Sequence, residues 1–296
     1  MPTPARMSVT RIAAALCAVA VSFAAACSGS STEDTSTVTA GTSPAATTTI
    51  LRPTDTADEL VTIDAGRLHV RFSGDGDATV LLIAGWDDDS ETWAAVEPSV
   101  ADRARVCVYD RFGTGSSDAP TTPQTFETQA TDLHELLDRT GEPGPYVLVG
   151  HSFGGAEAVT FASMYPEEVA GLVLVDASPT TWPDAVCSIP AYAGGCALME
   201  EPSQGERLDV FPAFEAVGSI SSLGDVPMTV MTAAHRSPDG LTAEERTRLD
   251  TLWREGTEDW ATLSTASRIV TVEDVGHVIQ AERPSIVIDE IVALVP

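Results

Sequence analysis

The segment YVLVGHSFGG carries the residues best suited to chemistry in this chain. It contains the pattern Gly-x-Ser-x-Gly centred on Ser152, with a strand-like apolar run before it and a helix-like stretch after it. A sharp strand-to-helix turn strains the serine backbone, so only glycine fits at Gly150 and Gly154. The hydroxyl then lies at a helix N-terminus, where backbone N–H groups favour developing negative charge. In this context the motif predicts that Ser152 is a catalytic nucleophile.

A serine nucleophile needs a general base, and five histidines are available. They are His69, His134, His151, His235 and His277. His277 lies just after the strand-like run SRIVTVE and just before the last helix-like stretch. A late histidine on a loop at a strand end fits the chain order serine, acid, histidine. His277 is therefore the predicted base. His151 is expected to point away from Ser152, and the other three to have structural or solvated roles.

Two aspartates could orient the base and stabilise its charged form. Asp176 ends the apolar run GLVLVD, which puts its carboxylate at the same sheet edge as the serine. Asp239 follows the run PMTVMTAA on the loop HRSPDG, beside Gly240, in a turn-like context where aspartate commonly has a structural role. Asp176 is the favoured acid, and Asp239 stays open as the alternative.

A tetrahedral intermediate needs hydrogen-bond donors for its oxyanion. The backbone N–H of Phe153, directly after the nucleophile, is one predicted donor. The second is expected from the loop after the run TVLLIAG, most directly from the N–H of Trp86. The Trp86 indole is also expected to line the acyl pocket.

These residues need a sheet to bring them together, and the order of elements predicts one. Strand-like runs alternate with helical patterns at 125–139, 153–165, 241–263 and 284–294. The strand-like runs are LVTIDAGRLHVRFSG (two strands), TVLLIAG, RVCVYD, YVLVG, GLVLVD, PMTVMTAA and SRIVTVE. Short, wholly apolar strands separated by helices predict an α/β fold, with a mostly parallel sheet covered by helices on both faces.

Residues 178–224 interrupt this alternation between the sixth and seventh strands. The segment contains five prolines and no long periodic helix. So long an insertion at the active-site edge is typical of a cap or lid. Cys187 and Cys196 are close in sequence within it, and a disulfide between them is predicted. Cys107 is expected to be a buried small hydrophobe, and no cysteine pair has zinc-ligand spacing, so no metal site is expected.

The first 58 residues are expected to lie outside the fold. Residues 1–26 combine Arg6 and Arg11 with a short apolar run, a pattern typical of a secretory signal peptide. The run ends in Ala-Ala-Ala-Cys, which resembles a bacterial lipobox with Cys27 as the lipidated residue, although leucine is usual three residues before the cysteine. A plain secreted protein is the alternative. Residues 27–58 are rich in Ser, Thr, Ala and Pro and are expected to form a flexible tether to a domain at 59–296.

The strongly acidic composition argues against nucleic acid as a partner. There are 44 acidic residues and 16 basic ones, all arginine, for a formal net charge of -28. Phosphates would be repelled, so nucleic acid is not an expected partner. A membrane contact is expected only through a lipid anchor at Cys27. The acidity is consistent with general compositional bias or with adaptation to high salt.

Together the blocks LLIAGW, YDRFGTGSSD, VGHSFGG, GLVLVDASP and VGHVIQAERP resemble the α/β-hydrolase superfamily, in the branch of small esterases and haloalkane-dehalogenase-type hydrolases. The resemblance spans about residues 60–296. It implies Ser152 as nucleophile, His277 as base and Asp176 or Asp239 as acid, and it gives Asp110 and Arg111 structural roles. Where the family often has His-Gly-x, this chain has Ala84-Gly85-Trp86. Dehalogenases and epoxide hydrolases carry aspartate at the nucleophile position, so a serine there favours acyl transfer.

The predicted function is hydrolysis of a small ester-like substrate through an acyl-enzyme, with no cofactor. Two alternatives stay open: cofactor-free perhydrolysis or C–C bond hydrolysis by the same residues, and a catalytically silent, lipid-anchored binding protein. The insertion contains the aromatic residues Trp182, Tyr192, Phe211 and Phe214. They could bind an apolar substrate group or form a small core of the cap itself.

Overall fold

The computed structural model describes residues 57–192, 196–197, 199, 205–234 and 241–296. Within them, eight strands form one sheet in the order β1-β2-β4-β3-β5-β6-β7-β8. The strands are β1 (Ala57–Ile63), β2 (Gly66–Ser73), β3 (Thr79–Ile83), β4 (Arg105–Tyr109), β5 (Tyr146–His151), β6 (Val169–Val175), β7 (Met228–Ala233) and β8 (Ser267–Val272). The pairs β1–β2 and β2–β4 are antiparallel, and all other pairs are parallel. The predicted α/β fold with a mostly parallel sheet is confirmed.

The central strands are apolar throughout because both of their faces are covered. Side chains alternate across a strand, so Leu81 packs in the core on one face and Leu82 in the core on the other. Leu148 and Val149 of β5 divide in the same way. This double burial explains why the sequence shows continuous apolar runs rather than an alternating polar pattern.

The four predicted helices are present with boundaries that shift by at most two residues, and the described residues form four further α-helices that the sequence analysis did not predict. They are α1 (Glu97–Ala101), α2 (Phe126–Thr140), α3 (Phe153–Met164), α4 (Trp182–Cys187), α5 (Val210–Gly218), α6 (Ala243–Ala261), α7 (Ile279–Glu282) and α8 (Pro284–Val292). A capping box between Thr125 and Thr128 begins α2, and Gly141 in a left-handed conformation (φ 69°) ends it. Side chains of α2, α3, α5 and α6 join the core on one face, and those of α1 and α8 join the other.

The insertion at 178–224 lies between β6 and β7, where the sequence predicts the cap. Besides a 3₁₀ helix at Pro190–Tyr192, its described part contains the short α-helices α4 and α5, which the proline-rich sequence does not suggest. Their prolines are compatible with a helix because Pro183 and Pro212 lie in the first turns, where no intrahelical N–H donor is lost. Cys187 and Cys196 form a disulfide with a Cα–Cα distance of 5.1 Å. The predicted staple is therefore present in the structure.

The first strand begins at Ala57, two residues before the predicted domain start. The predicted signal peptide at 1–26, Cys27 and residues 28–56 of the predicted tether lie outside the described residues. In the part of the chain that the structure describes, no helix is long and apolar enough to cross a membrane.

Candidate active site

Ser152 lies in a sharp turn between β5 and α3, at the carboxyl edge of the parallel strands. Its φ of 54° is in the left-handed region, which is uncommon for a residue with a side chain. The flanking glycines permit this turn: a Cβ on Gly150 would lie 2.2 Å from the Gly154 carbonyl oxygen, and one on Gly154 would lie 2.3 Å from the Ala84 oxygen. The strand, turn and helix that the sequence predicts around the serine are confirmed.

The structure brings Ser152, His277 and Asp176 into one hydrogen-bonded chain. His277 Nε2 lies 3.0 Å from Ser152 Oγ, and its Nδ1 lies 2.7 Å from Asp176 Oδ2. The imidazole comes from the loop between β8 and α7, and the carboxylate follows the last residue of β6. Three separate strand ends therefore supply the three groups, as expected for the edge of a parallel sheet.

Asp176 is held rigidly and without contact to solvent. Its side chain is fully buried, and Oδ1 accepts the Ala233 N–H at 3.1 Å. This leaves Oδ2 directed at the imidazole. The alternative acid, Asp239, lies outside the described residues, as does His235. Of the two candidate acids, Asp176 is the one that the structure places against His277, and its catalytic role stays a prediction.

The two predicted oxyanion donors flank the nucleophile. Phe153 is the first residue of α3, so its N–H is one of the helix's unpaired N-terminal donors. Trp86 follows β3, and its indole stacks on the Phe153 ring with centroids 5.3 Å apart and planes 6° apart. Neither backbone N–H donates to an acceptor among the described residues. Both groups are therefore available to a bound oxyanion.

The expected position of His151 is wrong. The sequence suggests that the turn directs this side chain away from the site, but its ring lines the same cavity as the nucleophile and lies 4.7 Å from the His277 ring. His151 Nε2 lies 3.1 Å from the His277 carbonyl oxygen, so Nε2 carries the proton and donates. His151 therefore braces the loop that carries the base.

Ser178 is a site residue that sequence reasoning missed. Its hydroxyl oxygen lies 3.3 Å from Ser152 Oγ, and its N–H donates to the Ser152 carbonyl at 3.2 Å. The side chain is buried and lines the cavity. The only available signal was its position two residues after Asp176, at the same strand end, and many serines at such positions do no more than satisfy the backbone.

The other two described histidines lie away from the nucleophile. His69 lies between two carboxylates, with Nε2 2.5 Å from Asp58 Oδ1 and Nδ1 2.8 Å from Asp110 Oδ2. His134 stacks on the Tyr165 ring at 4.0 Å. Burial alone would raise the pKa of Asp110, but the N–H groups of Ser116 and Ser90 outweigh it and lower the pKa. Their structural or solvated roles stay a prediction.

A cavity of about 550 Å³ opens over Ser152. Its walls are mainly aromatic and aliphatic, with two serines, two histidines and two aspartates as polar groups. The described lining residues are Gly85, Trp86, Asp87, Asp88, His151, Ser152, Phe153, Ser178, Trp182, Tyr192, Leu249, Trp253, His277 and Val278. No arginine is among them. The size and the apolar walls suit a small organic substrate.

The aromatic residues of the cap divide between the two roles left open by the sequence. Trp182 and Tyr192 line the cavity. Phe214 instead packs edge-on against Phe153 at 4.8 Å and joins the buried core, where Phe211 also packs. Burial raises the pKa of the Tyr192 phenol, which therefore stays protonated at neutral pH. The cap thus supplies both a substrate wall and a core of its own.

Two further observations concern metal-ligating side chains and the thiol of Cys107. They contain no group of three or more His, Cys, Asp or Glu side chains that could hold a metal ion. Cys107 is a free, buried cysteine, and burial raises the pKa of its thiol, so it is not a reactive thiolate. It packs as the small hydrophobe that the sequence predicts.

Part of the chain matches a known protein family. Residues 78–208 match a family model described as the alpha/beta hydrolase fold. The chain is 33% identical over 153 residues to lipase LipV of Mycobacterium tuberculosis, a match that covers 49% of this chain and 58% of the lipase. The chain spans 19% to 46% of the length of the first curated relatives that it matches.

Two solved structures show the same fold across most of the described chain. A thermophilic esterase from Thermogutta terrifontis has a TM-score of 0.58 at 23% identity, covering 80% of this chain and 97% of the esterase. Carboxylesterase CesB from Bacillus subtilis has a TM-score of 0.58 at 17% identity, covering 82% of this chain and 92% of that protein. With its sheet order, its strand-turn-helix serine and these matches, the chain has the α/β-hydrolase fold.

Proposed function

We propose that the protein is a serine hydrolase that cleaves small, uncharged esters through an acyl-enzyme. One observation carries this proposal: Ser152 Oγ lies 3.0 Å from His277 Nε2, while His277 Nδ1 lies 2.7 Å from a fully buried Asp176 carboxylate. Acyl transfer to water requires a hydroxyl, an imidazole and a carboxylate that are hydrogen-bonded in this order.

The proposed reaction has two halves. His277 Nε2 takes the Ser152 proton as Oγ attacks the ester carbonyl carbon, and the carbonyl electrons become the oxyanion. The N–H groups of Phe153 and Trp86 stabilise that oxyanion. His277 then gives the proton to the leaving alcohol as the C–O bond breaks and the acyl-enzyme forms. In the second half water replaces the alcohol, the acid leaves, and Ser152 recovers its proton.

The charge of the cavity favours uncharged substrates over anionic ones. Asp87 and Asp88 lie at its wall, and the described lining contains no arginine that could pair with a substrate carboxylate. The whole chain carries a net charge of -28, which repels anions before they reach the site. The aromatic side chains of Trp86, Trp182 and Trp253 add an apolar surface for an acyl or alcohol group.

We further propose that the enzyme is exported and anchored by a lipid at Cys27. The signal-like residues 1–26 and the Ser/Thr-rich segment after Cys27 support this location. The disulfide between Cys187 and Cys196 supports it independently, because disulfides persist in oxidising compartments and are rare in the cytoplasm. Membrane fractionation of cells that express the wild type and Cys27→Ser tests it. An unchanged membrane share in the variant would contradict lipidation.

Labelling with a fluorophosphonate probe tests the hydrolase proposal. The probe reacts covalently with an activated serine, so wild type should label in one-to-one stoichiometry and Ser152→Ala should not label. Hydrolysis of p-nitrophenyl butyrate should disappear in the same variant. Equal labelling of both proteins, or no labelling of a folded wild type, would contradict the proposal.

A further inference from the structure

A buried ion pair joins the cap to the loop that carries the second oxyanion donor. Arg111 follows β4, and Glu206 belongs to the cap insertion. Their side chains are 4% and 2% exposed and make two contacts, Nε to Oε2 at 3.0 Å and Nη2 to Oε1 at 2.8 Å. We propose that this pair orients the Trp86 N–H, so that Arg111 and Glu206 are positioning residues for catalysis. The inference rests on the proposed hydrolase function.

Arg111 donates hydrogen bonds to two backbone carbonyl groups of the loop that follows β3. Its Nη1 donates to the Ala84 oxygen at 2.8 Å, and its Nη2 donates to the Gly85 oxygen. The guanidinium therefore bonds two consecutive carbonyls while it is held by a carboxylate on its other edge. A rigid fork with several donors can do this, whereas a lysine ammonium could not reach both carbonyls in a fixed geometry.

The contact with the Gly85 oxygen bears directly on Trp86. The Gly85 carbonyl and the Trp86 N–H belong to one planar trans peptide group, in which C=O and N–H point to opposite sides. Fixing the oxygen against Arg111 therefore fixes the direction of the Trp86 N–H. A cation on the carbonyl also polarises the peptide group and makes that N–H a stronger donor.

Glu206 holds the next peptide of the same loop. Its Oε1 accepts the Asp87 N–H at 2.7 Å, and its Oε2 accepts the Gln129 side-chain amide at 3.1 Å. Asp87 has a φ of 52°, an unfavourable conformation that such contacts must maintain. The peptide groups before and after Trp86 are thus both fixed by the Arg111–Glu206 pair.

The cap backbone is in close contact with this loop, so the pair has little freedom to move. A Cβ on Gly205 would lie 2.3 Å from Asp87 Oδ1. The Glu206 N–H also donates to Asp87 Oδ1 at 3.4 Å. Any shift of the cap at this point would move the oxyanion loop with it.

Stability alone is a poor explanation for this pair. A buried ion pair often contributes no more to folding than well-packed apolar side chains would. Burial opposes the charge on Arg111, but Glu206 and Glu157 outweigh that effect and raise the arginine's pKa, so it stays charged. What the charge provides here is a fixed orientation for the peptide groups beside the nucleophile.

Kinetics of Glu206→Gln and Arg111→Lys test the proposal, with Glu142→Gln as the matched control. Glu142 forms an equally buried pair with Arg105 at 3.1 Å, and Arg105 lies at the opposite, amino end of the parallel strands. Loss of one oxyanion donor costs about 10²–10³ in kcat, so misorienting one should cost about tenfold to a hundredfold. We expect that loss in kcat for p-nitrophenyl butyrate, with KM within about threefold of wild type, in both test variants.

A transition-state mimic gives a readout that a merely structural role would not move. An alkylboronic acid forms a tetrahedral adduct with the serine. Its inhibition constant should rise in the test variants by the same factor by which kcat falls. Glu142→Gln should leave both values near wild type. If Glu206→Gln does not fold, as judged by thermal unfolding, Arg111→Lys decides alone.

Two results would overturn the inference, and they are distinguishable. A folded test variant that keeps kcat and boronate affinity within about threefold of wild type, or loses no more than Glu142→Gln, contradicts the positioning role alone. A wild type whose ester turnover does not depend on Ser152 contradicts the proposed function, and the inference fails with it.

Discussion

Oδ2 of Asp176 lies 2.7 Å from Nδ1 of His277, and the aspartate side chain has no contact with solvent. The Ala233 N–H occupies the other carboxylate oxygen. The carboxylate can therefore fix the imidazole tautomer in which Nε2 is unprotonated and can accept the Ser152 proton, and it can stabilise the imidazolium that results.

This contact predicts a large effect of Asp176→Asn. An amide of the same shape cannot stabilise the imidazolium and favours the wrong tautomer, so kcat should fall by about 10³- to 10⁴-fold with little change in KM. Steady-state hydrolysis of p-nitrophenyl butyrate measures it. Asp239→Asn is the matched control and should remain within a few-fold of wild type. The opposite ranking of the two variants would move the acid to Asp239.

The cavity charge predicts discrimination against anionic substrates. The value of kcat/KM for p-nitrophenyl butyrate should exceed that for the equally long p-nitrophenyl hemisuccinate at least about tenfold at low salt. The ratio of the two kcat/KM values should fall at high ionic strength, because exposed charges are screened there. Asp88→Asn should also lower this ratio, whereas Asp138→Asn, which removes an equal charge on the exposed face of α2, should not. A preference for the hemisuccinate would contradict the assigned substrate class.

The disulfide predicts a redox-dependent stability. Closing the short loop between Cys187 and Cys196 should stabilise the folded state by about 2–3 kcal/mol on chain-entropy grounds. Urea unfolding with and without reductant should show this loss. The double variant Cys187→Ser/Cys196→Ser should match the reduced wild type and should not respond to reductant. An identical midpoint for reduced and oxidised wild type would argue against a stabilising staple.

Asp132 on α2 predicts a pH-dependent stability. Burial, and secondarily Glu135, raise the pKa of this carboxyl to about 6 in the folded state, above its ordinary value near 3.8. The folded state then binds more protons than the unfolded state between these values, so this residue's contribution to stability is lost as pH rises from about 4 to about 6. The full pKa shift corresponds to a loss of about 3 kcal/mol in the free energy of unfolding, and solvent screening reduces that loss to about 1 kcal/mol.

The variant Asp132→Asn should remove that slope. Urea unfolding at intervals between pH 4 and 7 should show a smaller decline for the variant than for wild type. Asp138→Asn, an exposed change on the same helix, serves as the control and should keep the wild-type slope. Parallel curves for wild type and Asp132→Asn would contradict the assignment.

Some of these features could be predicted from the sequence because they depend on local pattern. Buried parallel strands are apolar throughout, and the turn at Ser152 requires glycines at fixed positions, so both leave a clear signal. His277 could be identified because it lies at a strand end in the expected chain order. Asp176 could be favoured for the same reason, although a second strand end offered Asp239.

Other features depend on contacts between distant parts of the chain. His151 lies in the cavity because of the direction its ring takes toward His277, which the motif letters do not specify. Glu206 pairs with Arg111 across 95 residues, and a glutamate in a proline-rich insertion is ordinarily expected to be solvated. Ser178 contacts Ser152 only because β5 and β6 are neighbours in register.

Mass spectrometry of the acyl-enzyme tests the central claim most directly. Wild type mixed with p-nitrophenyl butyrate and quenched in acid within one turnover should gain the mass of one butyryl group. Proteolysis should then place that group on the peptide that contains Ser152. Turnover with no adduct, or with the adduct on another residue, would contradict the assignment of Ser152 as the nucleophile.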